Sequence, residues 1–423
     1  MGSDELFERF LCARRLLIDE PTSNKFVDFE AITIMFSSPK RENYKDLLKL
    51  HFSTARYMPV WSYDEIEQCR SLLFEATVTA AKARELFVRW GGVPRYVLEK
   101  AHDMDAQQSL GRALSLAKFS VLQDAAGSLD LADTNSHKLM RINVDDDYEQ
   151  ADTTFASDFI ADRVISGAST ERLKEMTAFL VGRQDFGVLG ALRGHLFEAF
   201  AHDAILRGGD FEIRSMGNSA TGPSTVSFSR STKKWFRTSG ELKDFGEMDY
   251  CRPLSKTFGV VDAVRMPCSL LQMTVSTKHS INERLLGNLL DSLAEANEYV
   301  LFFVVPDAVF DSFNVSFKAS VPPESGRFDR LAIKALKIPL SGESRLSRVA
   351  PRTSSLSPHI AWGGLTGPGG VCGAEAAGES PRRSFLRPIR ALARSARRSQ
   401  RSWPRLLRGN SHAAVLPNIL VSI

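Results

Sequence analysis

The stretch from Thr257 to Asn282 (TFGVVDAVRMPCSLLQMTVSTKHSIN) constrains the fold more than any other part of the chain. Its apolar residues predict two short strands, with Pro267 in the turn between them. The first strand is expected to end at Asp262, and the second to carry Gln272 and Thr274 on one face. Many nucleases hold a divalent ion with an acid at a strand end beside such a pair. Two half-buried strands with an aspartate in a turn are also common in other α/β proteins, and spacing alone favours that structural interpretation.

An amphipathic helix is predicted from Gly187 to Leu206, upstream of these strands. Its positions 195, 198 and 202 fall on one side, which places Glu198 between His195 and His202. Glu198 is therefore a candidate partner for Asp262, although a solvated helix acid has the same pattern. The two histidines allow a further interpretation, a transition-metal site with Glu198, because imidazole suits Zn, Mn or Fe. Histidines at this spacing also occur by chance.

The order of the remaining elements predicts a compact mixed α/β fold. Near the amino terminus, strands are expected at Leu16–Ile18 and Ala31–Phe36, followed by helices over residues 64–90 and mostly helical structure over 105–185. Farther along, strands are expected at Phe211–Arg214, Thr225–Ser229, Lys234–Thr238, Val260–Val264, Leu270–Val275 and Tyr299–Val305, with a helix at Glu283–Asn297.

Charge divides the chain into two unlike parts. Residues 326–423 hold 17 Lys and Arg against 4 Asp and Glu, a net charge of +13. Because the whole chain is at +4, the other 325 residues carry −9. Beyond about Gly342 hydrophobic periodicity is lost, and ten arginines with no acid lie between Pro381 and Arg408. This predicts either a disordered basic tail or a frameshifted gene model. A genuine tail would bind phosphates or serve nuclear import.

Several partners and compartments are excluded or constrained by composition. No apolar run approaches the roughly 20 residues that span a bilayer, so no membrane partner is expected. The first residues, MGSDELFERF, do not predict a secretory signal. The five cysteines are scattered without zinc-site spacing and favour buried thiols in a reducing compartment.

Strings in two regions resemble a known family, the Crinkler effectors, which are related to retrotransposon hot spot proteins. LLIDEPTSNKF, FEAITIMFSSPKRENYKDLLK, YMPVWSYDEIEQC and FVRWGGVPRYVL resemble the later part of the family's nucleotide-binding module. GALRGHLFEAFAH, FGVVDAV, LLQMTVSTKHSI and LFFVVP resemble the restriction-endonuclease-like module that follows it. The resemblance covers roughly residues 10–320, in matching order. It implies a truncated P-loop NTPase-like module with a helical lid (1–125), a helical connector (126–186) and a restriction-endonuclease-like mixed α/β domain (187–325). The remaining residues, 326–423, lie outside the resemblance, and their composition predicts a basic, largely disordered tail.

For the first module, the resemblance implies nucleotide-handling residues without a phosphate loop. Asp19 and Glu20 match the acidic strand end that manages Mg²⁺ and water. The pair Ser37-Ser38 resembles a sensor, and Arg95 resembles a phosphate-sensing arginine of the lid. No GxxxxGK[ST] pattern is present in the sequence, so we do not expect tight ATP binding. Asp19 and Glu20 equally fit a plain strand end.

For the second module, the resemblance implies a metal-dependent endodeoxyribonuclease site. Glu198, Asp262 and Gln272 match its ligands for Mg²⁺ or Mn²⁺, which favour hard oxygen donors. The lysine that normally steadies the developing charge is replaced by Thr274. Lys278 is a substitute candidate, although on the same strand it would lie about 13 Å farther along.

Two functions follow as expectations from the resemblance. The first is a secreted virulence effector that acts on DNA in the host nucleus through this nuclease fold, whether active or degenerate. The alternative is a non-catalytic module that binds host nuclear proteins, which the missing lysine and phosphate loop favour. The two differ in whether Glu198, Asp262 and Gln272 converge on one cleft, and side chains on separate faces would favour the binding module.

Overall fold

A computed structural model of the chain describes residues 15–19, 32–37, 46–49, 53–128, 136–182, 189–216, 222–255, 258–317, 327–340 and 419–422. All of these residues belong to one unit of the chain. Residues 352–415, which form the other unit, lie outside the described residues. No helix in the described ranges is both long and apolar enough to cross a bilayer.

The strands within the described ranges run from the first module to the end of the chain. They are β1 (Arg15–Asp19), β2 (Ile32–Ser37), β3 (Thr54–Tyr57), β4 (Met140–Val144), β5 (Gln150–Phe155), β6 (Gly209–Ser215), β7 (Ser224–Phe228), β8 (Thr232–Phe236), β9 (Asp249–Pro253), β10 (Ala263–Arg265), β11 (Ser269–Met273), β12 (Lys278–Ile281), β13 (Tyr299–Pro306), β14 (Asn314–Phe317), β15 (Leu331–Ile338) and β16 (Ile419–Ser422).

The helices in the described ranges lie mostly between β3 and β6. They are α1 (Tyr63–Cys69), α2 (Ala80–Trp90), α3 (Met104–Leu116), α4 (Phe119–Ser128), α5 (Ser136–Leu139), α6 (Asp158–Ser166), α7 (Thr170–Val181), α8 (Gly190–Arg207), α9 (Glu283–Ser292) and α10 (Asp307–Phe310), with π-helical turns at Arg70–Phe74 and Arg95–Glu99.

Local sequence determines where several of these helices start. Ser62 and Glu65 form a capping box before α1, each accepting from the other's backbone amide. Ser157 and Ser169 cap α6 and α7 through their hydroxyls, and Asn282 caps α9. Each side chain satisfies an amide that the first helical turn leaves without a partner. These polar residues therefore fix the helix starts independently of tertiary packing.

An eight-stranded mixed sheet organises the carboxyl-terminal half of the folded part. Its order is β7-β6-β15-β13-β11-β10-β9-β8. Strands β11, β13 and β15 run parallel, whereas β10 runs antiparallel to both β9 and β11. One face packs against α8 and the helices of the amino-terminal half in a single hydrophobic core. The other face packs against α9 in a second core, so helices cover both sides of the sheet.

A smaller, parallel sheet contains the amino-terminal strands in the order β1-β2-β16-β3. The predicted strands at Leu16–Ile18 and Ala31–Phe36 are confirmed within one or two residues. The fourth strand, β16, comes from the last residues of the chain. The coarse prediction of a mixed α/β protein is therefore confirmed.

Three sequence predictions need correction. Residues 140–155 contain the antiparallel pair β4–β5 within a region expected to be mostly helical. Helix α9 ends at Ser292 rather than Asn297, because Arg327 Nη1 donates to the carbonyls of Leu290 and Leu293 at the helix end. The predicted start of the disordered tail at residue 326 is wrong, since β15 lies inside the large sheet between β13 and β6.

Candidate functional site

Helix α8 places Glu198 between the two histidines, as its spacing predicts. The Glu198 carboxylate lies 3.4 Å from His195 Nδ1 and 3.4 Å from His202 Nε2. The apolar stripe of the helix packs into the first core, and Glu198 is only 18% exposed. A carboxylate at this depth needs polar partners, because burial without them is costly.

His202 is a fully buried link between Glu198 and the sheet. Its Nδ1 lies 2.6 Å from the Tyr250 hydroxyl, and burial followed by the nearby charge of Arg252 lowers its pKa to about 4. The ring is therefore neutral at pH 7. Since the carboxylate beside Nε2 accepts hydrogen bonds, we assign the ring proton to Nε2 and an accepting role to Nδ1. Hydrogen bonds thus link the Tyr250 hydroxyl to His202, and His202 to Glu198.

Arg252 on β9 is the centre of a buried ion cluster. Its Nη2 lies 2.7 Å from Asp158 Oδ2 and 3.3 Å from Glu198 Oε1, and its Nη1 lies 3.4 Å from Asp162 Oδ1. The side chain is 2% exposed. Burial acts to lower the pKa of Arg252, but the carboxylates of Asp158, Asp162 and Glu198 outweigh it and raise the pKa. Three carboxylates from two helices thus share one guanidinium.

A second cation, Lys233, joins these residues. We call Arg252, Asp158, Asp162, Glu198 and Lys233 the Arg252 cluster. Lys233 on β8 forms an ion pair with Asp162. Burial lowers the pKa of Lys233 despite that partner. The Trp235 ring covers both cations, with its centroid 4.8 Å from Lys233 Nζ and 5.2 Å from Arg252 Cζ. The cluster is therefore enclosed by helix on one side and by the sheet on the other.

Asp262 and Gln272 form a separate contact on neighbouring strands. Asp262 Oδ2 accepts from Gln272 Nε2 at 2.9 Å and from the Met273 amide at 2.6 Å. The prediction that Asp262 ends a strand is wrong, because it directly precedes β10. Its own amide donates to the Leu271 carbonyl at 2.8 Å. The Asp262 carboxylate thus takes up a backbone amide of β11 at the point where regular pairing stops.

Gln272 and Glu198 extend from opposite faces of the large sheet. Leu271 and Met273 belong to the core that contains α8, whereas Leu270 belongs to the second core. Side chains alternate along a strand, so Gln272 is on the side of Leu270, in register with Phe303 of the second core. Glu198 extends from the helix on the opposite face. The carboxylates of Asp262 and Glu198 nevertheless both raise the pKa of Tyr250, behind burial as the main cause.

Comparison with protein-family models, with curated proteins and with solved structures gave no match. The chemistry of the site therefore rests on the residues themselves and on the resemblance described above.

Thr274 and Lys278, the two residues considered for the role of the lysine, lie in different parts of the structure. Thr274 donates its amide to the Val304 carbonyl at 3.0 Å, and its hydroxyl accepts from the Ser276 amide at 3.1 Å. This places Thr274 in the turn that ends β11. Lys278 begins β12, which pairs with β14 in a different sheet, and is exposed. The expected role of Lys278 as a substitute lysine is therefore not supported by its position.

The predicted metal ligands do not fit one divalent ion. Glu198 is shared by Arg252 and two histidines, while Gln272 directs its amide nitrogen to Asp262. In the described ranges, no three His, Cys, Asp or Glu side chains are grouped so that they could hold a metal. This also covers the interpretation in which His195, His202 and Glu198 bind a transition metal. Within the described residues, therefore, the predicted ligands do not provide the converging oxygen donors that suit Mg²⁺ or Mn²⁺.

The residues predicted to handle nucleotide are only partly described. Asp19 ends β1 and aligns with Phe36 of β2, directly before Ser37, so these backbone positions share one edge of the parallel sheet. Glu20 and Ser38 lie outside the described residues. Arg95 begins a π-helical turn and is exposed.

Sequence reasoning missed four members of this site: Asp158, Asp162, Lys233 and Arg252. Asp158 and Asp162 are four residues apart and therefore share one helix face. Lys233 and Arg252 lie on neighbouring parallel strands, with Lys233 opposite Tyr250. These local patterns mark an acidic helix face and a basic strand face, but sequence alone does not pair them.

Proposed function

We propose that this chain carries a degenerate restriction-endonuclease-like fold that serves as a non-catalytic interaction module. The observation that carries the proposal is the position of Arg252. Its guanidinium supplies, to Glu198 and two further carboxylates, the positive charge that a divalent ion would supply in a nuclease. Glu198 thereby takes part in a buried ion cluster that stabilises the fold.

The order of elements supports the nuclease-like part of the proposal. Helix α8 with Glu198 is followed by β6, β7 and β8, and then by the antiparallel strands β9, β10 and β11. Strand β12, helix α9 and strand β13 come next, and β13 runs parallel to β11. Asp262 directly precedes β10, and its carboxylate accepts from Gln272 of the adjacent strand β11. The proposal is supported by this order, in which a helix acid is followed along the chain by an acid and an amide near neighbouring strands.

Chemistry at the Arg252 cluster argues for binding rather than cleavage. Hydrolysis of a phosphodiester needs a group that activates water and a charge that stabilises the transition state. Arg252 keeps its proton at any accessible pH, and its charge is already shared by three carboxylates. Position 274 is a threonine, with a neutral hydroxyl, where the resemblance implies a charged lysine. Within this cluster, therefore, the described side chains hold each other in place.

By resemblance, the setting of this module is that of a secreted virulence effector acting in the host nucleus. The net charge of −9 outside residues 326–423 opposes a broad DNA-binding face, so we propose host nuclear proteins as the partners. The arginines of residues 381–408 are the part of the chain suited to DNA phosphates.

A Mg²⁺-dependent endonuclease is the second candidate, because Asp262 and Gln272 do meet at 2.9 Å. Incubation of plasmid and single-stranded DNA with the full chain and Mg²⁺ or Mn²⁺ separates the two. We expect no cleavage by the wild type. We also expect Asp262→Ala to act in host cells as the wild type does. Metal-dependent cleavage that disappears in Asp262→Ala would establish the nuclease and reject the proposal.

A further inference from the structure

A cleft of about 600 Å³ lies among the helices, outside the Arg252 cluster. Residues from α2, α3, α4, α6 and α7 line it, and small-molecule sites in proteins commonly have this size. Its described lining residues are Arg89, Leu110, Gly111, Leu114, Ser115, Ala117, Phe119, Leu122, Phe159, Arg163, Val164, Gly167, Ser169, Arg172 and Met176.

One wall of the cleft is apolar. Leu110, Phe119, Leu122 and Met176 are buried members of the first core. Gly111 on α3 opens the wall further, since a Cβ placed there would meet no atom within 4 Å. The cleft can therefore bury an apolar group against side chains that are already fixed by core packing.

The charged residues of the lining are all arginines. The guanidinium carbons of Arg163 and Arg89 lie 5.2 Å and 5.8 Å, respectively, from the centroid of the Phe159 ring. Within the described part of the chain, Arg163 and Arg172 take part in no ion pair, and Arg89 Nε is buried without a hydrogen-bond partner. Arg89 has one acidic neighbour, Glu85 at 3.6 Å. Of the three lining arginines, only Arg89 is within ion-pair distance of a carboxylate in the described part of the chain.

The start of helix α7 does not account for this charge. Ser169 already caps it by accepting from the Arg172 amide. Hydrogen bonds to its own backbone amide and to the Ser169 side chain lower the pKa of Glu171, which places that carboxylate at the helix start. The anion preference of the cleft thus depends on the arginine side chains.

We propose that this cleft binds a small amphipathic anion, with an apolar or aromatic body and one carboxylate or phosphate group. The body would pack on Leu110, Phe119 and Met176, and the anionic group would meet Arg163 and Arg172. A guanidinium donates paired hydrogen bonds to either oxyanion. This site is independent of the function proposed for the Arg252 cluster.

The test uses fluorescence titration of the full chain with anilinonaphthalene sulfonate, an aromatic anion of this class. Dodecanoate and naphthyl phosphate then compete as the carboxylate and phosphate arms, beside the neutral dodecanol and naphthol. We expect saturable binding of one probe per chain, displaced by at least one anion and far less by its neutral counterpart. Binding should weaken about tenfold in Arg163→Gln/Arg172→Gln, because hydrogen bonds to a charged group are lost.

Two variants keep this test decisive. Gly111→Leu fills the cleft without changing charge, and leucine is a better helix former than glycine, so the fold is retained. Arg112→Gln alters an exposed arginine of the same helix that pairs with Asp105 and does not line the cleft. We expect loss of binding in the first and wild-type binding in the second. The proposal is overturned if the wild type shows no saturable binding of the probe. It is also overturned if the wild type, Gly111→Leu and the double variant bind the probe equally.

Discussion

At Arg252, one buried guanidinium is shared by carboxylates from two helices that are far apart in sequence. A buried charge pair is weak evidence for stability in itself, but removing one partner leaves uncompensated charge behind. Arg252→Met is therefore expected to lower the free energy of unfolding by about 3–5 kcal/mol. Urea unfolding monitored by circular dichroism measures the change.

The control for this variant is Arg265→Gln on the neighbouring strand, where the guanidinium contacts the Ser229 hydroxyl at 2.9 Å. We expect Arg265→Gln to lower the free energy of unfolding by about 1 kcal/mol, because that hydrogen bond is lost. Neutralising Asp158, Asp162 and Glu198 to their amides should restore part of the stability lost in Arg252→Met. Equal costs for Arg252→Met and Arg265→Gln would contradict the ion cluster as described.

His202 predicts a pH dependence of stability at the same site. Its pKa is about 4 when folded, against roughly 6.5 in an unfolded chain. Between these values the unfolded state binds the extra proton, so stability is complete above pH 6.5 and is lost as pH falls toward 4. The whole contribution is about 3 kcal/mol, of which about 2 kcal/mol is lost between pH 7 and 5.

Chemical unfolding of wild type and His202→Gln at pH 7 and pH 5 tests this. The variant should lose less stability on acidification than the wild type does. Equal pH dependence in wild type and His202→Gln would show that the buried imidazole is not the titrating group.

Among the elements, β15 most changes the predicted domain boundary. Its sequence adjoins the basic segment in which hydrophobic periodicity is lost, and it was therefore included in the predicted tail. Ala335, Leu336, Ile338 and Leu340 are all buried. A chain ending at Ser325 loses these contacts, at about 1.5–3 kcal/mol for each large side chain, which together is comparable with the stability of a whole domain. A chain ending at Leu340 keeps them.

We therefore expect the Ser325-terminated chain to be unfolded or aggregated, and the Leu340-terminated chain to show a cooperative thermal transition. Circular dichroism and size-exclusion chromatography distinguish these states. A cooperative transition in both chains would mean that β15 is dispensable and that the predicted boundary at residue 325 was sufficient.

Local periodicity explains which parts of the site were predictable. Glu198 meets His195 and His202 because helical spacing fixes their shared face, and Asp262 meets Gln272 because the two strands are adjacent in sequence. Arg252 instead contacts residues 54 to 94 positions away. Such pairings depend on how helices dock on the sheet, which no local pattern specifies.

At the scale of the whole molecule, acidic and basic character are segregated. Outside residues 326–423 the net charge is −9, whereas that segment carries +13. Self-repulsion within the acidic part is offset inside the fold by arginines that hold carboxylates, of which Arg252 is the most buried. The same ion pairs that stabilise the fold occupy the Glu198 carboxylate, and we therefore propose that Glu198 binds no metal.

Direct binding of Mn²⁺ tests that claim most closely, because it does not depend on knowing a substrate. Electron paramagnetic resonance of free Mn²⁺ gives the bound fraction in the presence of the full chain, beside Asp262→Ala. We expect wild type and variant to bind no Mn²⁺ at concentrations up to about 1 mM, since the oxygen donors do not converge. One tightly bound Mn²⁺ per wild-type chain, absent in Asp262→Ala, would contradict this expectation and support the metal-dependent nuclease.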